Sequence, residues 1–337
     1  MTVKELAELC SLSPSTVSRV LNNSDGVSEA VRRKVVETGQ KYGYFDNVTG
    51  RGKKGGVGLV VKNVNSLFFE NLLCCIHKEL YTRGYIPYTE KIPVDGDEPE
   101  AAKELSRLKK MRGLILLSGR GDYTPERLAG IRIPCLFCSF TNRFGTLPPD
   151  SFSSVTGDDY MTGYTAAETL IGAGHRRIAA LINDKNDRGV CELRYSGFCA
   201  ALADNGIAPD SIVLAETKSL SLEAAYEKTR ELVAETEGLT AIFAASDEMA
   251  MCAIKAICDE GLRVPEDISV IGIDGLTQSR FTVPTLTTVV QPIEDMARKS
   301  VQILVDIIEN GEKNRHIILP TKLRLGKSIR YLENAPL

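Results

Sequence analysis

Hydrophobic positions along this chain follow two rhythms. Over the first forty-odd residues they return at helical spacing in three short runs. Thr2 and Glu5 form a T-x-x-E capping box ahead of Val3, Leu6, Ala7 and Cys10. Ser13 is a good N-cap, and Pro14 follows at the first helical position, where a missing N–H costs nothing. Val17, Val20 and Leu21 supply the inward face of that second helix. After a polar loop, Asn22 to Gly26, Ser28 caps a third helix carrying Val31, Val35 and Val36, and Gly43 ends it.

From Val57 the rhythm changes to apolar strand, amphipathic helix, strand. Strands are predicted at VGLVV (57–61), YIPYT (85–89), GLILLS (113–118), PCLFCSF (134–140), RIAALIN (177–183), SIVLAE (211–216), AIFAAS (241–246) and ISVIGID (268–274). Helices are predicted near 68–83, 98–110, 159–173, 190–205, 221–235, 247–260 and 293–310. Apolar strands alternating with helices imply parallel sheets covered on both faces. Eight such strands suit two doubly wound lobes. The chain is expected to cross between them at SSVTGDDYMTG (153–163) and to return after Asp274. A last helix and a strand, HIILPTKLRLG, then rejoin the first lobe. The expected organisation is a three-helix headpiece (1–46), a basic Gly-rich linker (47–56) and a two-lobed α/β core (57–337). The first lobe takes 57–156 and 291–325, and the second 157–290. Ligands of open α/β sheets lie at the carboxyl ends of the strands, here in the cleft between lobes.

Composition narrows the class. Hydrophobic residues at 43% and charged residues at 25% are ordinary for a soluble globular protein. No apolar run approaches the ~20 residues that span a bilayer. The start, MTVKELAELC, is charged in its first turns and does not read as a signal peptide, so a cytoplasmic protein is expected. Nine cysteines and three histidines include a single C-x-x-C pair, Cys135 and Cys138 on a predicted strand, and no Cys/His cluster with metal-ligand spacing, so neither metal nor cofactor is expected. No G-x-G-x-x-G follows the first strand, no Walker motif occurs and no nucleophile set is suggested, which argues against an enzyme. The net charge of −3 hides an asymmetry: residues 1–56 hold nine Lys/Arg against six Asp/Glu, and the remainder is acidic. A basic front piece points to nucleic acid.

Two short helices joined by a tight turn at Ser11-Leu12, with a third closing the core, make a helix-turn-helix. The second helix exposes Pro14, Ser15, Thr16, Ser18, Arg19 and Asn22, a slim polar face suited to a major groove. Arginine can pair with both acceptors of guanine, and hydroxyls suit phosphates. The same composition would also suit a small helical cap with a solvated serine-rich face.

The stretch TVKELAELCSLSPSTVSRVLNNSDGVSEAVRRKVVETGQKYGY resembles the headpiece of the lactose/galactose-repressor (LacI/GalR) family, with T-V-S-R-V-L-N at Thr16–Asn22 and V-S-x-x-x-R at Val27, Ser28 and Arg32. Further segments fall in family order: NVNSLFFENLL, GAGHRRIAALI, RYSGFCAAL, SDEMAMCAIKAI, GLRVPEDISVIGID and PTLTTVVQPIEDMARKSVQIL. The resemblance implies a periplasmic-binding-protein-like core and a repressor that binds a pseudo-palindromic operator in double-stranded DNA as a homodimer. A small-molecule effector, most often a carbohydrate, sits between the lobes and changes operator affinity. It places Pro14, Ser15 and Arg19 at base-reading positions, and Ser13, Thr16, Ser18, Asn22, Ser28, Tyr44 and Asn47 at backbone-contact positions. It places Asn65, Phe68, Phe69, Ser139, Phe140, Arg194, Asp247, Asp274 and Gln291 around the effector. Other roles stay open: Asp247 as the cap of the helix after AIFAAS, Asp274 as a strand-end turn residue, and one of Phe68 and Phe69 as core. A two-lobed solute-binding protein without a transcriptional role is the alternative function.

The chain also departs from the family. The segment after the headpiece, Asp46 to Gly52, lacks the hinge leucine and the Ala-Arg pair. Its glycines oppose a helix at roughly 1 kcal/mol each relative to alanine, so no stable hinge helix is expected. The fourth strand ends in Cys138-Ser139-Phe140, where an acid and an arginine are usual. Leu220 stands where several sugar-responsive members carry an aromatic platform, and Leu67 replaces a proline.

Overall fold

The computed structural model describes residues 2–21, 27–42, 54–62, 66–108, 111–208 and 212–332. They divide into two compact units, Met1–Lys54 and Gly55–Leu337.

The first unit holds α1 (Val3–Leu9), α2 (Pro14–Leu21) and α3 (Glu29–Lys41). The capping box closes as the sequence predicts: the Glu5 amide donates to Thr2 Oγ1 at 3.3 Å, and the Thr2 amide donates to Glu5 Oε2 at 2.6 Å. Ser11 takes a left-handed φ of 51°, which turns the chain between α1 and α2. Leu6, Ala7, Cys10, Val17, Val20 and Val35 form a small buried core, so the apolar stripe of each helix faces the same centre.

The second unit contains two six-stranded sheets. In chain order its elements begin β1 (Gly55–Lys62), α4 (Leu67–Thr82), β2 (Tyr85–Ile92), α5 (Glu98–Arg107), β3 (Met111–Leu117), α6 (Pro125–Leu128), β4 (Cys135–Cys138) and β5 (Ser153–Gly157). There follow α7 (Asp159–Gly172), β6 (Ile178–Ile182), α8 (Val190–Asp204), β7 (Val213–Glu216), α9 (Leu222–Glu235), β8 (Ala241–Ala244), α10 (Asp247–Asp259) and β9 (Ser269–Asp274). The chain closes with β10 (Thr287–Val290), α11 (Ile293–Asn310), β11 (His316–Leu319) and β12 (Lys322–Arg324). The first sheet runs β11-β5-β4-β3-β1-β2, all parallel. The second runs β12-β10-β9-β8-β6-β7, parallel except where β12 adds antiparallel to β10.

Side-chain alternation in β1 explains why continuous apolar runs were needed. Val57, Leu59 and Val61 face one cluster with Leu72, Ile76 and Val301, while Val60 faces another with Ala102, Leu105 and Phe137. Helices therefore cover both faces, and neither set of strand positions can be polar.

The chain passes between lobes three times, after β5, after β10 and between β11 and β12. The single strand expected over HIILPTKLRLG is two strands in different sheets. Pro320 has no N–H to continue a ladder, and the chain changes sheet there. SSVTG and TTVV, read as crossing segments, are also strands, each ending at a crossing.

Candidate functional site

Five carboxyl-terminal strand ends of the core converge on one buried guanidinium. Arg194 stands in the second turn of α8, behind β6, and is 7% exposed. Its Nε donates to Asp159 Oδ1 at 2.9 Å, its Nη1 to the Ala245 carbonyl at 2.7 Å and its Nη2 to Asp274 Oδ1 at 3.3 Å. Asp159 opens α7 after β5, Ala245 follows β8, and Asp274 ends β9. Gln291, after β10, donates through Nε2 to the same Asp159 oxygen at 3.2 Å. Asp159, Asp274 and Gln291 are all buried. Arg194, Asp274 and Gln291 were expected here; Asp159 was not. Its only signal was an acid pair, Asp158-Asp159, at a strand-to-helix junction, and Asp158 takes the ordinary capping role there by accepting from the Met161 amide.

Electrostatics follow from depth. Burial pushes the Asp274 carboxyl up to about 8, against the pull of Arg194, and Asp247, Glu248 and Asp159 add to the rise. Burial also raises Asp159, although Arg194 and Gln291 bond to it. The two carboxylates outweigh desolvation at Arg194 and keep it charged. Asp274 sits at φ 112°, a strained backbone for a residue with a side chain, which aims its carboxyl at the guanidinium.

Helices α7 and α8 reach this geometry by packing backbone to backbone. A Cβ on Gly163 would lie 1.8 Å from the Arg194 carbonyl, and one on Gly197 would lie 1.9 Å from the Tyr160 carbonyl. Only glycine allows that approach.

The remaining expected residues fall in different places. Ser139 is buried at the end of β4 with φ 72°, and its amide donates to the Val155 carbonyl. Phe69 is half-buried, while Phe68 belongs to the core of the first lobe; their rings meet edge to face at 5.3 Å. Two expectations need correction. Phe140 is no cleft aromatic: it is 3% exposed and stacks on Phe137 at 4.8 Å within the first lobe. Asp247 is fully buried, and both of its oxygens already accept hydrogen bonds within the fold. Oδ2 accepts from the Leu276 amide at 2.7 Å and from Ser279 Oγ at 2.8 Å, and Oδ1 accepts from Thr288. Nor does it cap α10, because Ser246 accepts from the Met249 amide. Asp247 clamps the loop after β9 instead. Asn65 lies outside the described residues.

The lobes also touch at the mouth of the cleft. The Gly121 amide donates to the Arg188 carbonyl at 2.7 Å, and the Leu67 amide donates to Glu248 Oε1 at 3.2 Å. Leu276, on the loop after β9, packs into the core of the first lobe.

In the headpiece, Ser13, Pro14, Ser15, Arg19 and Ser28 are exposed, and Thr16 and Ser18 are half-buried. Ser13 Oγ accepts from the Thr16 amide at 3.1 Å and lies 2.8 Å from the Ser15 and Thr16 hydroxyls, so one cluster caps α2 and faces outward. Ser28 Oγ accepts from the Val31 amide at 3.4 Å. Asn22, Tyr44, Asn47 and the hinge segment lie outside the described residues. Among the described residues, no three His, Cys, Asp or Glu side chains cluster as metal ligands, and no helix is long and apolar enough to cross a membrane.

A helix-turn-helix unit followed by a two-lobed α/β core with a polar cluster at its strand ends defines a DNA-binding regulator with a ligand-binding core. Comparison with known proteins gives the family. Residues 2–47 match "Bacterial regulatory proteins, lacI family", and residues 167–329 match "Periplasmic binding protein-like domain". The chain is 32% identical over 329 residues to the HTH-type transcriptional regulator MalR of Clostridium butyricum, an alignment that takes in 96% of this chain and 97% of that protein. Among solved structures it resembles a transcriptional regulator CelR–cellobiose complex, with TM-score 0.71, 29% identity, and 97% and 99% of the two chains covered. It also resembles a LacI family regulator from Enterococcus faecium with bound ribose, with TM-score 0.72, 25% identity, and 82% and 100% covered. The chain belongs to the lacI family of bacterial regulatory proteins. It is a DNA-binding transcriptional regulator, not an enzyme.

Proposed function

We propose that this regulator is a cytoplasmic repressor that holds a pseudo-palindromic operator as a homodimer, and that a sugar or sugar derivative between its lobes sets operator affinity. The observation that carries the reading is the buried cluster of Arg194, Asp159, Asp274 and Gln291 at the strand ends. Carboxylates accept from vicinal hydroxyls and a guanidinium donates to them, which is the chemistry of polyol binding. The cluster also joins the segments on which the lobes pivot: Asp159 follows one crossing, and Gln291 begins another. An effector that rearranged these bonds would bias lobe arrangement, and affinity for DNA would change by linkage. Two structurally similar regulators hold cellobiose and ribose, which favours a carbohydrate. In the headpiece, Arg19 is the base reader among Pro14, Ser15 and Arg19, and the hydroxyls of Ser13, Thr16, Ser18 and Ser28 contact backbone.

The test is selection of an operator from random duplex by the full-length protein, followed by a sugar panel scored for change in operator affinity. A palindromic consensus and at least one responsive sugar are expected. Sequence-indifferent binding, or a consensus operator on which no sugar acts, would overturn the corresponding half of the reading.

A further inference from the structure

We infer that Arg324 is a positioning residue for the coupling proposed above: it clamps the loop after β9, keeps Leu276 seated in the first lobe, and so holds the two lobes in their relative placement. The inference rests on the reading that lobe arrangement sets operator affinity, and it names the residue that fixes that arrangement.

The three crossings between lobes are tied to one another and to the cleft. At the first, the Asp158 amide donates to the Leu319 carbonyl at 3.1 Å, and Thr162 Oγ1 lies 3.3 Å from Thr321 Oγ1. Leu319 and Thr321 flank Pro320 at the third crossing. At the second, the Gln291 amide donates to the Asp274 carbonyl at 3.2 Å. After the third crossing the chain re-enters the second sheet through β12, whose three residues pair with β10. Arg324 ends that strand.

The Arg324 side chain reaches past β10 to the loop after β9. Its Nη1 donates to the Gly275 carbonyl at 3.2 Å, and its Nη2 donates to the Leu276 carbonyl at 3.4 Å and to Ser279 Oγ at 2.6 Å. Ser279 Oγ carries the contact on to Asp247 Oδ2 at 2.8 Å, and that oxygen also accepts from the Leu276 amide at 2.7 Å. Leu276 is therefore held at both its amide and its carbonyl. Its side chain is 1% exposed and lies in the core of the first lobe. A residue of the second lobe is thus seated in the first, and the lobes part only if its loop yields.

The bonding of Arg324 is unusual for an arginine. Among the described residues every acceptor it reaches is neutral, although Asp247 is one hydroxyl away. Its Nε is buried and has no hydrogen-bond partner. Buried donors are nearly always satisfied, and a desolvated guanidinium ordinarily takes a carboxylate. A fork that forgoes both is aimed at the loop, since its rigid plane can hold several acceptors at once.

The test is hydrogen exchange, read by mass spectrometry on the full-length protein without sugar or DNA. Two amides of the first lobe report contact between lobes: Gly121, which donates to the Arg188 carbonyl, and Leu67, which donates to Glu248 Oε1. In Arg324→Gln, peptides carrying these amides and the loop 275–279 are expected to exchange about tenfold faster, with β3 and β8 unchanged. Arg324→Lys keeps the charge without the fork and should fall between that variant and the wild type. Faster exchange in the loop alone would make Arg324 a local brace and refute the inference. Faster exchange in β3 and β8 as well would make it a general stabiliser and refute it too, as would exchange unchanged throughout. Operator affinity of the same variants tests the underlying reading separately. Loosened lobe contacts with an unchanged affinity for the selected operator support the clamp and overturn the coupling of lobe arrangement to DNA.

Discussion

Replacing Gly163 with alanine sets two known effects against each other. Gly163 lies inside α7, and an exposed Gly→Ala change in a helix gains about 1 kcal/mol in propensity. Here the new Cβ would lie 1.8 Å from the Arg194 carbonyl oxygen and 2.7 Å from its carbon. Both atoms are backbone, so no rotamer change relieves the contact. Helices α7 and α8 would have to part by about 1.5 Å to restore an ordinary C···O distance. Overpacking of this kind costs about 1–3 kcal/mol, and a rigid partner puts the cost at the upper end. The net prediction is a loss of about 1–2 kcal/mol in urea unfolding of the core. The same displacement would carry Arg194 away from Asp159 and Ala245, whose bonds at 2.9 and 2.7 Å would open beyond hydrogen-bond reach. Effector response should therefore fall further than stability does, while the headpiece still holds duplex DNA. A variant with a higher urea midpoint and an unchanged effector response would refute the account of how the two helices position Arg194.

Asp247 gives a pH test. Burial, opposed by the hydroxyls of Thr288 and Ser279 and by the Leu276 amide, raises it from 3.8 to about 6. A raised folded value means the native state holds the proton more tightly. The contribution is complete below pH 3.8 and is lost as pH rises through 6, so Asp247→Asn should gain about 2 kcal/mol on the wild type between pH 4 and 7. A constant difference in urea midpoint across that range would contradict this. Arg19→Ala should cost about 1–3 kcal/mol of preference for the selected operator over random duplex, read by gel shift, with little change in the random-duplex affinity itself. Ser13→Ala removes the hydroxyl that caps the Thr16 amide and should speed hydrogen exchange in α2 about fivefold, for a capping loss near 1 kcal/mol.

Much of the architecture was legible because it rests on burial periodicity. Long apolar runs such as VGLVV must be covered on both faces, and that alone separates parallel lobes from a half-exposed sheet. Strands β5 and β10 escaped because Ser153, Ser154, Thr156, Thr287 and Thr288 spend their polar atoms inside the fold. The Ser154 hydroxyl meets His316, for example, and Thr288 meets Asp247. No hydropathy pattern announces a buried hydroxyl whose partner lies 41 or 162 residues away. The same limit hid Asp159, which matters only because Arg194 arrives beside it from another helix. Phe140 misled for the opposite reason. A change at a strand end reads as a changed pocket, yet one residue's shift along the strand turns a side chain to the other face of the sheet. Arg194 was the firmest individual reading, since a charge on the inner face of a helix must find partners, whatever they are.

The central claim is that effector and operator share one equilibrium. It is tested by measuring operator affinity with and without the sugar that binds the core, and that sugar's affinity with and without operator. Coupling through the Arg194 cluster predicts the same factor in both directions, about 5- to 150-fold. A sugar that binds the core and leaves operator affinity unchanged would contradict it.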